Sequence, residues 1–154
     1  MSGRYLMILF LLMATSMMAS ATPNSWHTNA DGVVLDGYDV VAYHTQDRAV
    51  QGQAKFGATH DGVTFYFSSA ANRDLFHADP ALYAPAYHGY CAFGVATNKA
   101  KVSVDPRTFK IYNGQLLVFF NDLYQGQAVN TKIMWNANEQ HLHEVAVTSW
   151  TSLE

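Results

Sequence analysis

The chain has 154 residues, 49% of them apolar and 14% aromatic, with a formal charge of −3 and one cysteine. That length fits one domain with a sizeable core, and a single cysteine excludes an intrachain disulfide. No run of Lys and Arg occurs, which excludes the phosphate neutralisation that nucleic-acid binding needs and argues against an anionic membrane surface.

Residues 1–21 read as a secretory signal peptide. Arg4 gives a positive start, Tyr5 to Met13 an almost unbroken apolar run, and Ala19-Ser20-Ala21 the small residues that precede cleavage. The apolar run is shorter than the about 20 residues a membrane span requires. Cleavage after Ala21 is therefore expected to leave a periplasmic or secreted protein with no stable membrane insertion. Met1, Met7, Met13, Met17 and Met18 would leave with the leader, so only Met134 remains, which excludes a methionine-rich copper site. Loss of Arg4 makes the formal charge one unit more negative.

Thr22 to Asn29 is polar and reads as an unpaired lead-in. Val33 to Leu35 is a short apolar piece ahead of an Asp36-Gly37 turn. Asp39 to Tyr43 suits either a short strand or a single helical turn. Gln53 to His60 and Val63 to Phe67 predict a β-hairpin across Asp61-Gly62, a dipeptide that accepts the positive φ of a two-residue turn. Ser68 or Ser69 is expected to cap a helix running to about Ala78, with Ala71, Leu75 and Ala78 as its buried stripe and Phe76 beside them. Asp79-Pro80 ends that helix and starts a short one through Tyr83, which Pro85 stops.

Lys101 to Val104 reads as a short strand. Thr108 to Tyr112 and Gln115 to Phe120 predict a second hairpin across Asn113-Gly114. From Asn121 onwards the chain is expected to be mostly helical, with Gly126 breaking its start. No internal repeat, low-complexity tract or second-domain linker is evident. The fold class is α+β, a small single domain over residues 33–150 with two β-hairpins packed against short helices and a C-terminal helix.

Several segments, in this order, carry a family likeness. They are Leu35-Asp36-Gly37-Tyr38-Asp39-Val40-Val41-Ala42-Tyr43, Phe65-Tyr66-Phe67-Ser68-Ser69-Ala70-Ala71-Asn72-Arg73 with Leu75-Phe76, and Ala78-Asp79-Pro80 with Tyr83 and Pro85. Gly89-Tyr90-Cys91-Ala92-Phe93-Gly94-Val95-Ala96 follows, and then Val104-Asp105-Pro106 leading to Tyr112-Asn113-Gly114-Gln115-Leu116. Together they resemble the exported YHS-domain proteins, a branch in which some members carry selenocysteine. The likeness spans Val33 to Phe120 and resumes at Trp135 and Trp150. It implies a small α+β module of a kind also attached to heavy-metal transport ATPases and some oxygenases and supposed to handle metals. It also places the cysteine or selenocysteine of the family at Cys91, and selenium at that position implies a chalcogen used for chemistry. The chain departs from the pattern in having His88-Gly89 where many relatives have Gly-Gly. It also carries several additional residues between Asn121 and Trp135, expected to form a loop or two extra helical turns.

Cys91 is thus the leading candidate. A lone thiol is a buried inert group, a metal ligand or a redox centre. His88 lies three residues away and could reach the sulfur if Gly89 lets the chain turn. A thiolate with an imidazole suits copper(I) or zinc(II), and His44 and His77 could complete the set. Two ligands do not close a zinc site, and no CxxC pair is present. His141 and His143, two apart, would face different ways on a helix. Asp39 and Asp105 read as backbone-capping carboxylates. Tyr38, Tyr43, Tyr66, Tyr83, Tyr87 and Tyr90 read as packing residues, with the lining of a cleft near Cys91 as the other role open to them. No Ser-His-Asp pattern, phosphate loop or nucleotide fingerprint is present, so no organic cofactor is implied. The expected function is binding of a metal ion, most of all copper, through Cys91, His88, His44 and His77. The alternatives are a thiol redox protein using Cys91 with an external reductant, and a non-catalytic ligand-binding or scaffold module for a small molecule.

Overall fold

The computed structural model describes residues 25–154; the expected leader and its cleavage point lie outside the described residues. In chain order the elements are α1 (Val40–Gln46), β1 (Gln53–His60), β2 (Val63–Phe67), α2 (Ala70–Ala78), α3 (Pro80–Tyr83) and α4 (Ala92–Asn98). They continue with β3 (Asp105–Tyr112), β4 (Gln115–Phe119), β5 (Asn121–Tyr124), β6 (Gln127–Asn130), α5 (Thr131–Asn136) and α6 (Glu139–Trp150). Single 3-10 turns occupy Leu35–Gly37 and Ala86–Gly89. Among the described residues the strands pair with one another as three antiparallel hairpins, β1–β2, β3–β4 and β5–β6. The class is α+β with a C-terminal helix, as expected, and it has one more hairpin than the sequence predicts.

The first two hairpins turn where the dipeptides place them. Asp61 and Gly62 have φ of 48° and 77°, and Asn113 and Gly114 have 51° and 77°, the double left-handed geometry that matches strand twist. The third turns at Gln125-Gly126 with φ of 51° and 79°. Gly126 therefore closes a hairpin over residues that were expected to be helical. Helix starts are equally local. Asp39 caps α1 by accepting from the Val41 and Ala42 N–H groups, Ser69 caps α2 through the Asn72 N–H, and Asp79 caps α3 through the Leu82 N–H. Asp39 to Tyr43 thus opens a helix rather than a strand. Asp105 accepts from the Arg107 N–H.

Three further expectations are corrected. Residues 101–104 have no strand pairing, and β3 begins only at Asp105. In α2 the buried residue is Phe76, while Leu75 is 44% exposed and Ala71 and Ala78 face solvent. The Asn72 side chain donates to Asp39 Oδ2 at 2.7 Å, and this polar anchor fixes the rotation of the helix about its axis. The described part of the lead-in, from Ser25, is docked rather than unpaired. Trp26 is buried, its ring stacks on His88 at 4.5 Å, and the His27 N–H donates to the His88 carbonyl at 2.9 Å.

The described chain also contains an internal repeat that the sequence reading missed. Each landmark recurs 52 positions on: cap Asp39 at Cys91, α1 from Val40 at α4 from Ala92, β1 from Gln53 at β3 from Asp105, β2 ending at Phe67 at β4 ending at Phe119. The pairing registers repeat too, bulge included, from Gln53–Phe67 then Gly57–Tyr66 to Asp105–Phe119 then Phe109–Val118. The parallel bridge Val33–Thr64 recurs as Pro85–Leu116. Leu35, Asp36 and Gly37 are left-handed, and so are Tyr87, His88 and Gly89. The repeat diverges after the hairpin, where the first half builds α2 and the second builds β5–β6.

Two clusters of buried side chains form the core. One gathers Trp26, Tyr43, Phe65, Phe67 and Phe76, and the other gathers Tyr87, Val95, Trp135 and Trp150. Strand β4 serves both. Leu116 and Val118 belong to the first cluster and Leu117 and Phe119 to the second, as the two-residue period of a strand requires.

Candidate functional site around Cys91

Cys91 is brought to its place by a turn and fixed by a tight crossing. Tyr87 and His88 adopt φ of 54° and 51°, and Gly89 follows at 82°; glycine takes that last angle without a Cβ penalty. Tyr90 returns to extended backbone, and Cys91 becomes the N-cap of α4. The Cys91 N–H donates to the Val102 carbonyl at 3.0 Å. A Cβ on Gly94 would sit 2.7 Å from Val102 Cγ2, so only glycine allows α4 to lie this close to the returning chain.

The sulfur is an acceptor in this setting. The Phe120 N–H donates to Sγ at 3.3 Å and the Gly94 N–H at 3.5 Å. Thr131 Oγ1 lies 3.3 Å from Sγ, and its hydroxyl also reaches the Phe120 carbonyl at 3.0 Å. With the hydroxyl proton on that carbonyl, the thiol proton points to Thr131 Oγ1. With the sulfur deprotonated, the hydroxyl is free to turn and donate to it.

The first half shows what this cradle otherwise holds. At the equivalent cap, Asp39 accepts from the Val41 N–H (2.9 Å), the Ala42 N–H (3.3 Å), the Ser68 N–H (2.8 Å), Ser68 Oγ (2.6 Å) and Asn72 Nδ2 (2.7 Å). Ala42 corresponds to Gly94 and Ser68 to Phe120. Two of the three backbone donors that hold a carboxylate at Asp39 are thus the counterparts of the two that hold the sulfur at Cys91.

What lies above the two caps differs. Over Asp39, Asn72 of α2 closes the space. Over Cys91, β5–β6 replaces that helix and leaves a cavity of about 370 Å³ walled by Phe93, Val102, Phe120, Tyr124, Val129 and Met134, with Asn98 and Thr131 supplying polar tips. Cys91 is part of this wall although its relative exposure is 0%, so the sulfur lies behind the cavity surface and is met only when that wall gives way. The aromatic lining comes from Phe93, Phe120 and Tyr124, not from the tyrosines that precede Cys91 in the sequence.

The candidate histidines lie elsewhere. His88 stacks on Trp26, meets Trp150 edge-on at 5.2 Å, and bonds Ser25 Oγ through Nδ1 at 2.7 Å; it lines a separate, larger cavity of about 490 Å³ with His60 and Asp61. Burial holds its pKa below the ordinary value, against the pull of Glu154. His44, on α1, meets Tyr83 edge-on at 5.4 Å, and burial lowers its pKa also. His77 is exposed in the last turn of α2. Among the described residues no group of three or more His, Cys, Asp or Glu is placed to hold a metal ion. Cys91, His88, His44 and His77 therefore do not fit one copper or zinc site as they stand.

Ser25, His88 and Glu154 do line up, but this is not a catalytic triad. His88 Nε2 is 3.9 Å from Glu154 Oε1, beyond hydrogen-bond reach, that oxygen already accepts from Trp150 Nε1 at 2.6 Å, and Ser25 is outside the cavity wall.

Comparison of the chain with protein-family models, curated proteins and solved structures returned no match. Fold and site together define a small α+β domain with one buried cysteine on a hydrogen-bonded cap. The residues that sequence reasoning missed are Phe120, Thr131 and Met134. Their only sequence signal is Asn130, which caps α5 through the Lys132 N–H and so presents Thr131 inward.

Proposed function

We propose that this chain is an exported, YHS-like thiol redox protein in which Cys91 is the single reactive group. The observation that carries the reading is the shared cradle. Backbone donors that serve a buried carboxylate in one half meet the sulfur in the other, beside a cavity that Cys91 helps to line. Oriented N–H groups accommodate charge on an attacking or departing sulfur without reorganising.

The reaction supported is thiol–disulfide exchange. The Cys91 thiolate attacks one sulfur of a disulfide R–S–S–R′. A Cys91–S–S–R bond forms, the original S–S bond breaks, and R′–S⁻ leaves with the electron pair. Solvent takes the thiol proton as Cys91 ionises, and the departing thiolate takes one from solvent. No second cysteine is present in the chain, so an external thiol must complete the second exchange and restore Cys91.

The test is a disulfide titration of the folded chain. Incubation with 4,4′-dithiodipyridine should release one equivalent of thiopyridone and leave a mixed disulfide at Cys91, detected by mass, with no release from Cys91→Ser. Release only after unfolding in guanidinium overturns the proposal.

A second reading, a soft metal ion such as copper(I) on the same sulfur, draws on one observation: Met134 lines the same cavity as Cys91. It requires copper(I) binding that Cys91→Ser abolishes and Met134→Leu weakens.

A further inference from the structure

We infer that the cavity over Cys91 is a binding site for an uncharged, largely apolar disulfide; this rests on the thiol reading above and names its substrate class. The repeat shows how the space arose. In the first half the position over the cap is filled by Asn72, whose amide donates to Asp39. In the second half β5–β6 stands in place of α2, and its Tyr124 lines the cavity together with Phe120, the counterpart of Ser68. A polar plug that hydrogen-bonds a carboxylate has given way to aromatic walls around an open volume.

The lining also sets the charge of the occupant. No side chain in the cavity wall is charged. A substrate bearing carboxylates would have to shed their water against Phe93, Phe120, Val129 and Met134 with no cation to receive them. Desolvating an unpaired ion costs several kcal/mol, more than apolar contact with one ring returns. An uncharged group loses nothing comparable and gains the burial of its own apolar surface. The volume of about 370 Å³ exceeds the roughly 150 Å³ that suffices for a benzene ring, so it is large enough for one aromatic ring plus the disulfide.

The substrate supplies the oxidising equivalent, its S–S bond is reduced as the mixed disulfide forms, and its second half leaves as the thiolate.

The experiment compares two aromatic disulfides of opposite character on the purified chain, neutral 4,4′-dithiodipyridine and dianionic 5,5′-dithiobis(2-nitrobenzoate). Each rate is divided by that of the same chain unfolded in guanidinium, and salt is kept high to screen net charge. The folded chain should favour the neutral reagent by about tenfold or more, the ratio set by desolvating an unpaired carboxylate. A normalised ratio near unity, or one favouring the dianion, overturns the inference and leaves the thiol reading standing. Silence toward both reagents in the folded chain overturns the thiol reading and this inference with it. Met134 is 47% exposed, so Met134→Lys tests the same point without disturbing the core. It should shift the ratio toward the dianion, and a ratio unmoved in the folded variant counts against the charge argument.

Discussion

Asp39 and Cys91 occupy the same position in two copies of one structural unit, 52 residues apart, each capping a seven-residue helix and each held by the N–H of the first residue after its hairpin. Their main-chain settings match as well. The Asp39 N–H donates to the Val50 carbonyl at 2.8 Å and the Cys91 N–H to the Val102 carbonyl at 3.0 Å. The chemistry at the cap has changed from carboxylate to sulfur while the scaffold around it has stayed.

The first prediction comes from that equivalence. Cys91→Asp should fold and lie within about 2 kcal/mol of the parent in guanidinium unfolding, because the Gly94 and Phe120 N–H groups can hold a carboxylate. A fully buried carboxylate without such donors ordinarily costs far more. Cys91→Leu, similar in burial but unable to accept those bonds, should be the less stable of the two. The reverse order would show that the cradle does not receive an anion.

Asp39 itself is expected to be a stability residue. Asp39→Ala strands the Val41 and Ser68 N–H groups and takes the shorter of two bonds from the Asn72 amide, with a loss of roughly 3–5 kcal/mol. Ser69→Ala removes one cap bond of α2 and should cost about 1 kcal/mol. Equal losses in the two variants would contradict this assignment, and equilibrium unfolding decides between them.

Gly94 tests the tight crossing. Gly94→Ala drives a methyl into Val102 and should cost about 1–3 kcal/mol while slowing the disulfide reaction of Cys91. Adding Val102→Ala should recover much of both losses, since the two side chains then no longer compete for one space. A double variant no better than the sum of its parts would mean that the contact is not the cause.

Acid should weaken the fold through histidines. His27, His44 and His88 all have pKa values lowered by burial from 6.5. As pH falls below that value the unfolded chain takes up protons that the folded chain refuses, so stability is present above it and is lost progressively down through the depressed folded values. His44 is the cleanest case, because burial is the only cause of its shift. His44→Phe keeps an aromatic ring against Tyr83 and removes the titration. The drop in unfolding midpoint between about pH 7 and pH 5 should shrink in this variant; an unchanged drop would exclude His44 as a contributor.

Much of this was legible in the sequence where local chemistry decides structure. Asp61-Gly62 and Asn113-Gly114 marked two hairpins, and Ser69, Asp79 and Asp39 marked caps. The third hairpin escaped notice because Gln125-Gly126 is a weaker turn signal and β5 faces solvent along its length, so no burial alternation betrays it. The repeat escaped because its halves share little beyond Gly37 and Gly89, Tyr38 and Tyr90, Thr45 and Thr97, Val50 and Val102, Gly62 and Gly114, and Phe67 and Phe119. What persisted is backbone geometry, which many side chains satisfy. Cys91 was found as the lone thiol. Its expected partner His88 is close along the chain, but the turn that precedes Gly89 sends that ring between Trp26 and Trp150 instead.

Strand β4 alternates its side chains between the two clusters of the core, and this governs how the molecule comes apart. Neither half can melt alone without stripping one face of a strand on which the other depends. A duplicated architecture would ordinarily suggest two separable units, yet here a single sharp transition is required, monitored equally by Trp26 on one side and Trp135 on the other. A fragment cut between α3 and the Ala86–Gly89 turn would deprive the N-terminal piece of Leu116 and Val118 and leave those two side chains bare on the other.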